Sequence, residues 1–137
     1  MPRKDRAFAG VATAAVLAVV VLSFLKLGTP SAQRLAALDR VRLENVKALA
    51  HELTRAWKTA APASLQELVS RPDAPPLVLN DPATSQPYEY RRHDGTAHEL
   101  CATFATDTRR LGGTPSFWDH PKGRYCYALD SKRRPGN

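Results

Sequence analysis

Hydrophobic positions follow three different rhythms along this chain. From Ala7 to Leu25 they are almost unbroken, and the run AFAGVATAAVLAVVVLSFL carries no charge. A helix of that length spans roughly 28 Å at about 1.5 Å of rise per residue, matching the hydrocarbon thickness of a bilayer. Residues 7–27 are therefore expected to form a transmembrane helix. Gly28-Thr29-Pro30-Ser31 is expected to break the pattern over 28–31. Between Ala32 and Trp57 the period becomes three to four, with Leu35, Leu38, Val46, Leu49, Leu53 and Trp57 in phase. That rhythm predicts an amphipathic helix with one face to bury. It has one gap, where Val41 and Leu43 flank Arg42.

Further on, Ser64-Leu65-Gln66-Glu67 has the form of a capping box and predicts a short helix of about two turns. Three prolines between Arg71 and Leu79 predict an extended loop that cannot be a central strand. Alternation then takes over. Tyr88 to Arg92, Ala97 to Thr106 and Gly123 to Leu129 read as three strands, the first two joined by Asp94-Gly95, a hairpin signal. By parity His98, Leu100, Ala102 and Phe104 share one face, with Cys101 and Thr103 on the other. Tyr125 and Tyr127 likewise oppose Cys126. The expected fold is α+β: an amphipathic helix packed on a small antiparallel three-stranded sheet spanning 32–130, behind a membrane helix and ahead of a disordered basic tail at 131–137.

Charge changes this picture mainly at the N-terminus. Arg3, Lys4 and Arg6 outweigh Asp5 in the flank 1–6, which by the positive-inside rule stays cytoplasmic and sends the remainder outside. A cleaved secretory signal is the alternative, disfavoured by the length of the apolar run, by Lys26 near its end and by Pro30 at the −3 position for cleavage after Ala32. Both readings export the domain. The formal net charge is +7. Much of it sits at the anchor, and the rest is scattered apart from Lys132, Arg133 and Arg134, so no basic stripe marks a nucleic-acid partner. In an oxidising compartment Cys101 and Cys126, each within a predicted strand, are expected to form a disulfide.

No motif points to catalysis. Ser116, Asp119 and His120 share one loop without a nucleophile elbow or oxyanion signature. Glu89 and Glu99 could face each other across the hairpin, but nothing tunes either one. Cys101, Cys126, His93, His98 and His120 lack the spacing of a metal site, and no phosphate-binding loop is present. No catalytic residue, metal or cofactor is expected. Phe117, Trp118 and His120 form an aromatic loop that could touch a partner, with Trp118 alternatively capping the core.

The order of elements resembles type IV pilin-like proteins, and particularly the major pseudopilins of type II secretion. The similarity rests on Ser64-Leu65-Gln66-Glu67-Leu68-Val69, the Pro72 to Pro76 loop, and Asp81-Pro82-Ala83-Thr84-Ser85-Gln86-Pro87-Tyr88-Glu89-Tyr90, set beside the pseudopilin pattern DPWGxPYxY. Tyr88 to Phe104 with Trp118, His120 and Cys126 also resembles a group of uncharacterised bacterial envelope proteins. Two departures stand out. Gly10 is followed by Val11, and the fifth position is Ala15, where prepilins carry an aromatic residue and a glutamate. Asp107-Thr108-Arg109-Arg110-Leu111-Gly112-Gly113 is basic where pseudopilins carry a calcium loop, so no calcium is expected. The resemblance implies a single-pass protein of the bacterial inner membrane with a periplasmic domain, non-catalytic, acting in assembly or interaction. Its partners would be the lipid bilayer and other envelope proteins met through the N-terminal helix and the Leu35 to Trp57 stripe. A periplasmic ligand-binding or sensing module is the alternative.

Overall fold

The computed structural model describes residues 3–109, 114–130 and 132. Its elements are α1 (Arg3–Leu27), α2 (Pro30–Trp57), α3 (Leu65–Val69), β1 (Glu89–Arg92), β2 (Ala97–Phe104) and β3 (Gly123–Asp130). The chain divides into two compact units, Met1–Arg34 and Leu35–Asn137.

In the first unit α1 is long and apolar enough to cross a membrane. Its large side chains lie bare, with Phe8 78% and Leu25 75% exposed. The two hydroxyls within the apolar run are satisfied inside the helix. Thr13 Oγ1 donates to Ala9 O at 2.9 Å and Ser23 Oγ to Val19 O at 2.7 Å, as a helix in lipid requires. Gly28, at φ +74°, closes α1 with its N–H on Phe24 O, the left-handed position a side chain would resist. The expected four-residue breaker is in fact only Gly28 and Thr29. Pro30 opens α2, because a first-turn proline has no hydrogen bond to lose, and Thr29 Oγ1 accepts from Ala32 N–H at 3.3 Å.

In the second unit the stripe of α2 builds the core. Val46, Leu49 and Leu53 are fully buried, clustered with Leu65, Leu68, Tyr88, Leu100, Phe104, Tyr127 and Leu129. Burying each such side chain is worth about 1.5–3 kcal/mol. The expectation that the whole stripe meets other proteins is therefore corrected: Val46, Leu49 and Leu53 are sealed inside the domain, and only Leu35 and Val41 on this helix remain exposed large hydrophobics. The sheet is the expected meander, in order β1-β2-β3, antiparallel throughout. Gly95, at φ +68°, sits in the β1–β2 turn, which His93 N–H closes on Ala97 O at 3.0 Å.

Ser64 caps α3, accepting from Glu67 N–H at 3.1 Å, while the Glu67 carboxylate accepts from Ala63 N–H at 2.6 Å. This helix is five residues long, shorter than expected, because Ser70 already serves as its C-cap. The expected tail at 131–137 lies outside the described residues except Lys132, whose N–H donates to Asp130.

Candidate functional site

The gap in the α2 stripe is where the structure places its charged centre. Asp39 and Arg42 continue the buried face of α2 beyond Val46, at 3% and 7% exposure. Arg42 forks onto Asp81, with Nε to Oδ2 at 2.5 Å and Nη2 to Oδ1 at 3.1 Å, and reaches Asp39 through Nη1 at 2.8 Å. Asp39 in turn accepts from Ala105 N–H, Thr106 N–H and the Thr106 hydroxyl. Asp81 also accepts from Ala83 and Thr84 N–H. One cluster thus ties α2 to the turn before β1 and to the exit of β2.

The electrostatics follow from that geometry. Burial pushes the Asp39 carboxyl up, but the hydrogen bonds from Thr106, Ala105 and Arg42 prevail and hold it below the usual value. The Arg42 hydrogen bond is the main cause that brings Asp81 down to about 2. Arg42 is held more firmly protonated than a free guanidinium, first by Asp81. Both carboxylates are thus ionised at neutral pH and the guanidinium is occupied on three nitrogens. Such a cluster clamps segments together; it does not move protons.

A groove of about 460 Å³ opens beside the clamp, lined by Thr84, Gln86, Pro87, Glu89, Cys101 and Thr103. Its origin is a proline. In the β1–β2 register Glu89 stands opposite Cys101, so Pro87 falls where Thr103 would find its partner. Proline has no N–H to offer, and strand pairing stops there. Pro87 instead bridges to Asn80, and Tyr88 N–H bonds Leu79 O.

Cys101 and Cys126 face each other directly across β2 and β3, with sulfurs 2.12 Å apart, at disulfide distance. Above them Arg124 Nε and Nη2 pair with Glu89 at 2.7 Å, spanning all three strands. Glu89 therefore faces Cys101, and Glu99 stands opposite Arg91, so the two carboxylates that could have faced each other across the hairpin do not. Glu99, Cys101 and Cys126 bring possible metal-binding atoms within 4.8 Å of one another. Two of those atoms are the bonded sulfurs, which leaves one carboxylate.

The aromatic loop divides in two. Phe117 is exposed, whereas Trp118 is half-buried against Tyr127 at 5.2 Å with Lys47 over its ring. His120 is 1% exposed and stacks on Phe104 at 3.6 Å. Of the three residues His120 is withdrawn into the core, Phe117 is exposed and Trp118 keeps part of its surface open. Ser116 and Asp119 serve the turn: Ser116 N–H donates to Asp119 Oδ2 and Trp118 N–H to Ser116 Oγ. Residues 110–113 of the segment expected to lack calcium lie outside the described residues.

At the far end of the sheet His98 is buried and stacked on Trp57 at 5.2 Å, and Nδ1 contacts Thr96 O at 3.3 Å. Among the described residues neither its Nε2 nor the Trp57 indole N–H has a hydrogen-bond partner of ordinary geometry. Burial lowers the His98 pKa.

Strand parity alone places His98 on the inner face, whereas no local pattern singles out Asp39 or Asp81 as carriers of structure. The one available signal was a charged residue interrupting an apolar helical stripe, with an acid three residues before it. No protein-family model matches the chain, and neither the curated proteins nor the solved structures contain a match to it.

Proposed function

We propose that this chain is a single-pass, membrane-anchored envelope protein of pilin-like build, with a cytoplasmic N-terminus and a periplasmic domain, acting without catalysis as an assembly or interaction component. One observation carries the reading: α1 is long and apolar enough to cross a membrane, and its large apolar side chains are exposed. Such a helix needs lipid or other helices around it. The domain behind it has the staple suited to an oxidising compartment, and its buried charges are committed to holding segments together.

Ligand binding or sensing is the second reading, and the groove beside Pro87 is what favours it. A bound small molecule there would protect Thr103 and Gln86 from amide exchange without requiring α1.

The deciding measurement is the intact mass of the protein isolated from membranes without reductant, before and after reduction and alkylation. Retention of the apolar segment, together with two alkyl groups gained only after reduction, supports the anchored periplasmic reading. Loss of the segment up to Gly10 would move the protein to a processed filament subunit. Free thiols before reduction would overturn the periplasmic placement.

A further inference from the structure

We infer that the outer edge of β3 is a docking surface for a second copy of this chain, joining two three-stranded sheets into one antiparallel six-stranded sheet. The parity of the backbone supports this. His93 N–H bonds Ala97 O, so the odd-numbered peptide groups of β2 face β1 and the even-numbered ones face β3. Cys101 and Cys126, with Cα atoms 4.0 Å apart, are then a narrow pair without hydrogen bonds between β2 and β3. The peptide groups of Arg124, Cys126 and Ala128 consequently point away from β2, out of the sheet. Among the described residues no main-chain hydrogen bond meets them.

This edge also lacks the usual protection. β3 runs for eight residues, GRYCYALD, in unbroken register, with no proline, no lysine and no bulge. Of the devices that keep edges solitary, β3 carries only the charges Arg124 and Asp130 near its two ends. On the face that carries the disulfide, the strand presents the small exposed Ala128, flanked by the exposed Arg124 at one end and by Asp130 at the other.

Self-pairing is favoured by charge. An antiparallel pair centred on Tyr127 overlaps residues 124 to 130 and sets outward peptide groups against outward ones. Cys126 then stands opposite Ala128 of the second copy, and Arg124 opposite Asp130 of the second copy, once on each side of the axis. Each of these charges keeps the partner it has in its own domain, Glu89 for Arg124 and Thr96 for Asp130. Within residues 124 to 130 the register therefore sets opposite signs against each other at both ends, with the lysines Lys122 and Lys132 falling beyond the paired segment. A two-fold axis through one strand makes the interface self-complementary.

The test uses the full chain, oxidised, in detergent micelles, with molar mass read by light scattering and backbone amide exchange read residue by residue. A dimer is expected, with the Arg124, Cys126 and Ala128 amides exchanging at least about ten-fold more slowly than open strand edges do. Ala128→Pro removes one outward N–H and none of the bonds to β2, so it should give a monomer in which the Arg124 and Cys126 amides become fast. Tyr127 and Leu129, bonded to β2, should stay protected and report that the fold is intact. If they do not, Arg124→Glu is the second variant: it sets like charges at both ends and should weaken the dimer about ten-fold. A monomer at every concentration would overturn the inference. So would a dimer whose three edge amides exchange freely, since that dimer would be held by α1.

Discussion

The two units of this protein treat the same residue types in opposite ways. Leu17 and Leu25 of α1 are 60% and 75% exposed, while Leu49 and Leu53 of α2 are at 0%. In α2 a polar face opposes the stripe, so one side can turn inward and the other can face water. In α1 apolar residues occur on every side, and no single packing partner could cover them. The contrast teaches that hydrophobicity alone does not make a core; an element needs a direction in which to hide.

Buried charge marks the second difference, since the domain carries an ion cluster inside and the apolar run of α1 carries no charge. The largest effect is therefore expected from Arg42→Ala, which strands Asp39 and Asp81 without their shared cation. It should cost about 3–5 kcal/mol in urea unfolding, a large share of the stability of a small domain. A loss below about 1 kcal/mol would show that the cluster is not a clamp.

Next in size is a matched pair of truncations. Leu49→Ala should destabilise the domain by about 2–5 kcal/mol. Leu17→Ala should leave domain unfolding unchanged, because that side chain touches solvent or lipid rather than the core. Equal effects would erase the distinction between the units.

Acid should loosen the domain in two steps of smaller size. The folded-state pKa of His98 is lowered, so the unfolded chain takes up the proton first, and stability falls as pH drops through the unfolded value of about 6.5. Asp39 and Asp81 are also lowered, Asp81 to about 2. Their contribution is complete above the ordinary carboxylate range and disappears as pH falls from about 4 towards 2. His98→Gln should remove the first step and leave the second, as read by unfolding midpoints across pH. The smallest effect belongs to Ser64→Ala, about 1 kcal/mol from the lost cap on Glu67 N–H.

Periodicity and turn chemistry made much of this architecture legible. The apolar run gave α1, the three-to-four spacing gave the buried face of α2, and strand parity placed His98, Leu100 and Phe104 on the core side. These features depend on neighbours a few residues apart, and such patterns are written directly into the chain. The boundaries near Pro30 were less legible, since a proline can end one element or begin the next.

What only the tertiary structure decided was which polar groups meet across distance. Arg42 reads in sequence only as a gap in the apolar stripe and Asp81 as a turn former, yet with Asp39 they converge because the middle of α2, the turn before β1 and the exit of β2 meet at one place. Pro87 was visible as a turn former, but its lack of an N–H creates a groove only because Thr103 stands opposite. His120 and Trp118 share one loop in sequence with Phe117, and packing alone sent the first into the core and left the last outside. Local pattern is fixed by the chain's own period, whereas these partnerships depend on how separate segments close against one another.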